Sequence, residues 1–111
     1  MSVTIVGLGP AGLDRLTSLA MAALDDESAT VIVRTLEHPA ARQLAARRPV
    51  TACDDLYEQS ADYDTLYAAV AQRVLDAPGA VVYAVPGSAL VGERAVPLVR
   101  AAAAEIGRDV I

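Results

Sequence analysis

The sequence predicts an α/β protein with a doubly wound, mostly parallel sheet of four to five strands and helices on both faces. Short runs rich in β-branched residues, at 3–6, 30–33 and 80–85, alternate with stretches whose apolar residues recur every three or four positions. These runs lack polar alternation, so both faces of each strand are expected to be buried. Strands that alternate with helices form right-handed βαβ units, in which the strands are parallel.

Length and composition limit the number of domains and the class of protein. The chain has 111 residues, so residues 1–111 are expected to form one domain. Hydrophobic residues make up 54%, which excludes a disordered segment. No apolar run approaches the roughly 20 residues of a membrane span. The N-terminus lacks signal-peptide features and one cysteine cannot form an internal disulfide, so we expect a cytoplasmic protein without a membrane partner.

The charge balance argues against nucleic acid as a partner. Nine arginines stand against fourteen acidic residues, which gives a formal net charge of −5. Binding of nucleic acid requires a basic face that displaces counterions. We therefore expect no nucleic-acid partner.

The first strand, residues 3–6, leads into a glycine-rich turn at residues 7–12, which we call the glycine turn. A helix is predicted from Leu13 until the polar residues 25–28 end it. Its apolar face is predicted to comprise Leu16, Leu19, Ala20, Ala23 and Leu24.

The second strand is predicted at 30–33, followed by a loop at 34–38. Pro39 suits the first turn of a helix, which is predicted to run through Ala46. Residues 49–52 form a weaker candidate for a third strand.

The acidic stretch 53–63 is interpreted as a connection. Asp64 is predicted to cap a helix that ends at 78–79, and residues 80–85 form the clearest strand. The predicted apolar face of this helix comprises Leu66, Tyr67, Val70, Val74 and Leu75.

A last helix, interrupted by Pro97, is predicted over 91–106 and is followed by the start of another strand at 109–111. The sequence ends inside that strand, so we expect this chain to be a fragment of a longer one.

Gly7, Gly9 and Gly12 match the G-x-G-x-x-G pattern of dinucleotide-binding turns. At the end of the second strand, where an acidic residue would bind the ribose, the sequence has Arg34. A dinucleotide site and a turn that serves only the backbone therefore both remain open. The turn and the loop at 86–92 follow strand ends, and they would face one crevice if the first and fourth strands are neighbours.

Four sequence segments resemble one family. Residues 7–24, GLGPAGLDRLTSLAMAAL, resemble the opening of the tetrapyrrole (corrin/porphyrin) methylases, and residues 81–96, VVYAVPGSALVGERAV, stand where that family has its second loop motif. RTLEHP at 34–39 and DDLYEQSADYDTLY at 54–67 are similar to the methylase-like domain that precedes a MazG-type nucleotide pyrophosphohydrolase. The order and spacing of the four segments span nearly the whole chain.

This resemblance implies the first of two α/β halves of an S-adenosylmethionine-dependent methyltransferase, with the cofactor in the cleft between them. The cofactor-binding residues that it implies are Leu8, Gly9, Pro10, Pro86, Gly87, Ser88 and Ala89. It further implies a tetrapyrrole-like acceptor, a second methylase half and a MazG-type domain in the parent chain, and a homodimer. The chain alone is expected to transfer no methyl group.

One departure from the family keeps a second hypothesis open. Gly87, Ser88 and Ala89 stand where the broad family has Gly-Asp-Pro, and the loop carboxylate is lost. The alternative is a non-catalytic dimerisation or regulatory module of a MazG-type hydrolase. A dinucleotide-binding domain is the third hypothesis.

No catalytic side chain and no metal site are assigned. His38 and Cys53 are the only histidine and cysteine, which leaves too few nitrogen and sulfur ligands for a tetrahedral zinc site. His38 is expected at a loop or helix start, with a position lining the cleft as the alternative, and Ser88 is interpreted as a turn serine. Capping and surface roles are preferred over a magnesium site for the acidic residues Asp54, Asp55, Glu58, Asp62 and Asp64. Core or interface positions are expected for Tyr57, Tyr63, Tyr67 and Tyr83.

Overall fold

The computed structural model describes residues 2–9, 12–77, 79–86 and 109–110. The strands are β1 (Ser2–Gly7), β2 (Thr30–Val33), β3 (Thr51–Ala52), β4 (Val81–Val85) and β5 (Asp109–Val110). The helices are a 3-10 turn (Leu13–Arg15), α1 (Ser18–Leu24), α2 (Pro39–Arg47), α3 (Asp54–Gln59) and α4 (Tyr63–Asp76). The last predicted helix, 91–106, lies outside the described residues.

The strands form one parallel sheet in the order β3-β2-β4-β1-β5. β4 lies between β1 and β2, with Val3 paired to Val81 and Gly7 paired to Val85. The predicted fold class is therefore confirmed, and so is the neighbourhood of the first and fourth strands. The glycine turn and the end of β4 leave the sheet side by side at its carboxyl edge.

Helices cover both faces of the sheet, as predicted. Val81, Tyr83 and Val85 of β4 pack in the core layer that contains the apolar residues of α4. Val82 and Ala84 pack in the opposite layer with α1 and α2. Every β4 side chain is buried, and Tyr83 is the largest fully buried side chain in the described part of the chain. None of the described helices combines the length and apolar character needed to cross a membrane.

The predicted first helix is broken. A 3-10 turn at Leu13–Arg15 is followed by extended backbone at Leu16 and Thr17, and α1 begins only at Ser18. The break resets the helical register, so the prediction that Leu19 is buried is wrong: its side chain is 83% exposed. Leu24 is fully buried as predicted.

The helix predicted from Pro39 is confirmed as α2, one residue longer than expected. Ala40, Ala41 and Leu44 form its buried face. The weak third strand shrinks to Thr51–Ala52.

The acidic connection predicted at 53–63 is wrong in part, because α3 occupies its centre. Two carboxylates in the first turn of α3 favour the helix by opposing its dipole. The N-cap of α4 lies two residues before the predicted one: Asp62, rather than Asp64, accepts a hydrogen bond from the Thr65 amide at 2.7 Å.

Candidate functional site

The glycine turn is fixed to the end of β4 at its first residue. The Leu8 amide donates to the Val85 carbonyl at 2.7 Å, which continues the ladder between β1 and β4 by one bond. The Leu8 side chain is 1% exposed and packs with the α1 and α2 layer of the core. A ligand could therefore contact the backbone atoms of Leu8 but not its buried side chain.

Gly9 takes a backbone conformation that side chains disfavour. Its φ is +66°, in the left-handed region. A Cβ built at this position would meet no atom within 4 Å, so backbone strain rather than crowding selects glycine. The space beside the Gly9 backbone is open to a ligand.

His38 braces the Gly9 carbonyl. Its Nε2 lies 2.6 Å from the Gly9 oxygen, and its Nδ1 accepts from the Ala40 amide at 3.1 Å. A carbonyl only accepts and an amide only donates, so the neutral tautomer with the proton on Nε2 satisfies both contacts. The ring is buried and is the N-cap of α2, so it couples the start of that helix to the turn.

Gln43 holds the other end of the turn. Its Oε1 accepts from the Leu13 amide at 2.7 Å, across 30 residues of sequence. A Cβ at Gly12 would lie 2.7 Å from the same Oε1 atom, so a larger residue here would displace the Gln43 amide group. α2 thus fixes the glycine turn on both sides of its centre.

The second predicted loop begins at Pro86, which is half-buried directly after β4. Leu8 and Gly9 therefore lie at the same edge of the sheet as Pro86, as predicted. Pro10, Gly87, Ser88 and Ala89 lie outside the described residues.

A polar cavity of about 360 Å³, which we call the Arg34 cavity, lies beside Pro86 on the β2 and β3 side of β4. Its lining consists of Arg34, Thr35, Glu37, Asp54, Tyr57 and Pro86.

Asp54 lines this cavity and holds the loop after β2 in place. Its carboxylate accepts from the Thr35 hydroxyl at 2.6 Å and from the Leu36 amide at 3.0 Å. Both of its oxygens therefore serve the loop.

Arg34 and Tyr57 form a wall of the cavity. Arg34 Nη1 donates to the Tyr57 hydroxyl at 3.1 Å, and the guanidinium carbon lies 5.6 Å from the ring centroid. Tyr57 is thus partly buried at the site, whereas Tyr83 belongs to the core.

The other acidic residues of the segment have structural partners. Asp55 forms a two-point ion pair with Arg73, at 2.6 and 2.8 Å. The hydrogen bond from Arg73 lowers the pKa of the Asp55 carboxyl. Among the described residues, no three histidine, cysteine or acidic side chains are grouped as a metal site would require.

Cys53 is buried beside this ion pair. Burial raises the pKa of its thiol to about 11, so the thiolate needed for nucleophilic chemistry is scarce at neutral pH.

Two positioning contacts were not predicted from the sequence. His38 was expected at a helix start, which is confirmed, but its contact with Gly9 spans 29 residues of sequence and leaves no local pattern. Gln43 carries no sequence signal for its contact with Leu13.

Comparison with known proteins places the fold. No protein-family model matches the chain. It is 34% identical over 99 residues to the uncharacterized protein YabN of Bacillus subtilis (strain 168), a match that covers 86% of this chain and 20% of that relative.

Among solved structures, the chain is similar to uroporphyrin III C-methyltransferase from Thermus thermophilus. The TM-score is 0.63 at 18% sequence identity, and the match covers 99% of this chain and 46% of that one. The chain thus has the tetrapyrrole methylase fold and spans a fifth of the curated relative and less than half of the solved structure.

Proposed function

We propose that residues 1–111 are the first α/β half of an S-adenosylmethionine-dependent, tetrapyrrole-methylase-like methyltransferase, and that they supply part of its cofactor cleft. The observation that carries this proposal is the braced glycine turn, which lies beside the end of β4 in a methylase fold. The proposed cofactor contacts are Leu8, Gly9, Pro10, Pro86, Gly87, Ser88 and Ala89.

The described part of the glycine turn fits this cofactor. Gly9 leaves open space beside its backbone, and His38 fixes the direction of its carbonyl. S-adenosylmethionine has no phosphate, so a turn that offers shape and backbone atoms is sufficient. When bound, the cofactor would supply an activated methyl group, whose transfer depends mainly on the positioning of the two reactants.

The geometry after Gly12 argues against the dinucleotide alternative. A dinucleotide turn opens directly into a helix whose N-terminus faces the pyrophosphate. Here α1 starts only at Ser18, and the Thr17 hydroxyl already accepts from the Ala20 amide. No long helix N-terminus directly follows the turn.

The regulatory alternative is favoured by one observation. Gly87, Ser88 and Ala89 lack the loop carboxylate of the broad methylase family. A domain that kept the fold but lost cofactor binding would serve a MazG-type hydrolase through dimerisation. Our methyltransferase proposal also includes a longer parent chain with a second methylase half. It further includes a tetrapyrrole-like methyl acceptor.

Isothermal titration of the intact protein with S-adenosylmethionine and S-adenosylhomocysteine tests the proposal. We expect both to bind, and we expect Gly9→Asp to weaken binding at least tenfold because a side chain fills the open space. Gly79→Asp is the matched control, since Gly79 has φ +68° with equally open surroundings at the amino end of β4.

Both substitutions are expected to cost similar stability, on the order of 1 kcal/mol, through backbone strain alone. Failure of the wild-type protein to bind either molecule would overturn the cofactor proposal. Equal affinity of both variants would remove the glycine turn from the site.

A further inference from the structure

Gln43 connects α2 to the residue that directly follows the glycine turn. Its Oε1 accepts a hydrogen bond from the Leu13 amide at 2.7 Å, and Leu13 is the first residue of the 3-10 turn. The first N–H groups of a helical turn have no partner within that turn, so they need an acceptor from elsewhere in the chain. Gln43 supplies this acceptor from a position 30 residues away.

The Gln43 amide group also lies against the backbone of Gly12. A Cβ built at Gly12 would lie 2.7 Å from Oε1 and 3.1 Å from Nε2, so the amide group occupies the space that a side chain at Gly12 would take. Gln43 itself is exposed, whereas Leu13 is buried in the core layer of α1 and α2. The hydrogen bond therefore links an exposed side chain of α2 to the buried residue at which the glycine turn ends.

α2 is a firm support for this contact, because it is also held at its other end. Arg48, directly after α2, donates to the Leu24 carbonyl at 3.0 Å and to the Ala29 carbonyl at 2.7 Å. These two carbonyls belong to the last residue of α1 and to the residue before β2. The position of α2 thus does not depend on its contacts with the glycine turn, so loss of the Gln43 contact is expected to loosen the turn rather than the helix.

We propose that Gln43 is a positioning residue for the cofactor, which it serves by holding the glycine turn in the shape that binds. The inference rests on the proposed function, because it takes the turn as part of the cofactor cleft. His38 holds the Gly9 carbonyl and Gln43 holds the Leu13 amide, so the turn is fixed on both sides of its centre without a ligand. A segment that is ordered beforehand loses less conformational entropy on binding, which raises the affinity.

Isothermal titration of the intact protein with S-adenosylhomocysteine tests this role. Gln43→Met retains the length and the helix propensity of the side chain but removes the acceptor for the Leu13 amide. We expect it to weaken binding about three- to tenfold, the range that the net contribution of one hydrogen bond allows.

Amide hydrogen exchange at Leu13 is the second measurement, and it separates positioning from a role in the fold alone. In the free protein, Gln43→Met is expected to exchange faster than the wild type at this amide, because the hydrogen bond is lost. Saturating S-adenosylhomocysteine is expected to slow the exchange in the variant, since a ligand that prefers the ordered turn also stabilises it.

Gln72→Met is the matched control. Gln72 is an exposed glutamine on α4, and its Nε2 donates to the Asp76 carboxylate at 2.7 Å. The substitution therefore also removes a glutamine hydrogen bond from an exposed helix face, but far from the glycine turn. It is expected to leave the affinity unchanged, and thermal melting of both variants shows that the fold is retained.

Equal affinity of Gln43→Met and Gln72→Met for S-adenosylhomocysteine overturns this proposal and leaves the proposed function standing. Exchange at Leu13 that the ligand does not change in Gln43→Met overturns it in the same way. Failure of the wild-type protein to bind overturns both the proposed function and this inference, so the two kinds of failure are distinguishable.

Discussion

His38 joins two segments that are 29 residues apart, and it does so with both ring nitrogens. One nitrogen caps α2 through the Ala40 amide, and the other holds the Gly9 carbonyl. The stability of α2 and the geometry of the glycine turn therefore both depend on one buried side chain, through two different nitrogens.

The substitution His38→Asn separates the effect on α2 stability from the effect on the glycine turn. Asn is a good N-cap, so His38→Asn retains a hydrogen bond to the Ala40 amide, but its side chain is too short to reach the Gly9 carbonyl. We expect a stability loss of about 1 kcal/mol in urea unfolding, the net worth of one hydrogen bond, and S-adenosylhomocysteine binding at least fivefold weaker.

His38→Ala is the comparison variant, since it loses both bonds and should be less stable than His38→Asn. Wild-type affinity in His38→Asn would show that the Gly9 contact serves the fold alone.

At the residue level, the glycine turn could be predicted from the sequence, but the contacts that hold it could not. The glycine spacing located Gly9, because a left-handed turn after a buried strand leaves that pattern. The contacts of His38 and Gln43 depend on how α2 docks against the turn, and no local pattern encodes that docking.

At the scale of the elements, the acidic stretch 53–63 is predicted from the sequence to be a connection. Most of its acidic residues instead lie in α3 or cap α4. Asp62 caps α4, and hydrogen bonds from Thr65 lower the pKa of its carboxyl. A lowered pKa in the folded state means that the ionised form favours folding. This contribution is present above the unfolded pKa, near 3.8, and is lost as the pH falls through the lowered native value.

The substitution Asp62→Asn tests the contribution of the Asp62 carboxylate to stability. Asparagine retains the cap but does not titrate, so the variant should lose less stability than the wild type when the pH is lowered from 5 to 3. Urea unfolding at a series of pH values measures the difference. Parallel curves for the two proteins would contradict a role for the Asp62 carboxylate in acid unfolding.

The errors at this scale share one cause. The apolar spacing continues with a helical period through Leu16 and Thr17, although the backbone there is extended, and it therefore predicts the wrong position for Leu19. Apolar periodicity also does not reveal α3, because a six-residue helix with acidic first-turn residues has too few apolar positions to show a period. Short elements are set by tertiary contacts, such as those of Leu56 and Tyr57 with the core.

For the whole molecule, the parallel sheet follows from the alternation of strands and helices, and the adjacency of β1 and β4 follows from the doubly wound order. These two facts place the glycine turn beside Pro86. The Arg34 cavity could not be predicted, because its wall includes Tyr57 of α3.

We propose that a methylase cofactor lies between the ends of β1 and β4. Amide resonances of the intact, isotope-labelled protein, followed during titration with S-adenosylhomocysteine, test it most directly. We expect the largest shifts at Leu8 and Gly9, with small shifts at Gly79, which lies at the opposite edge of the sheet. Saturable shifts that leave Leu8 and Gly9 unmoved, or no shifts at all, would contradict it.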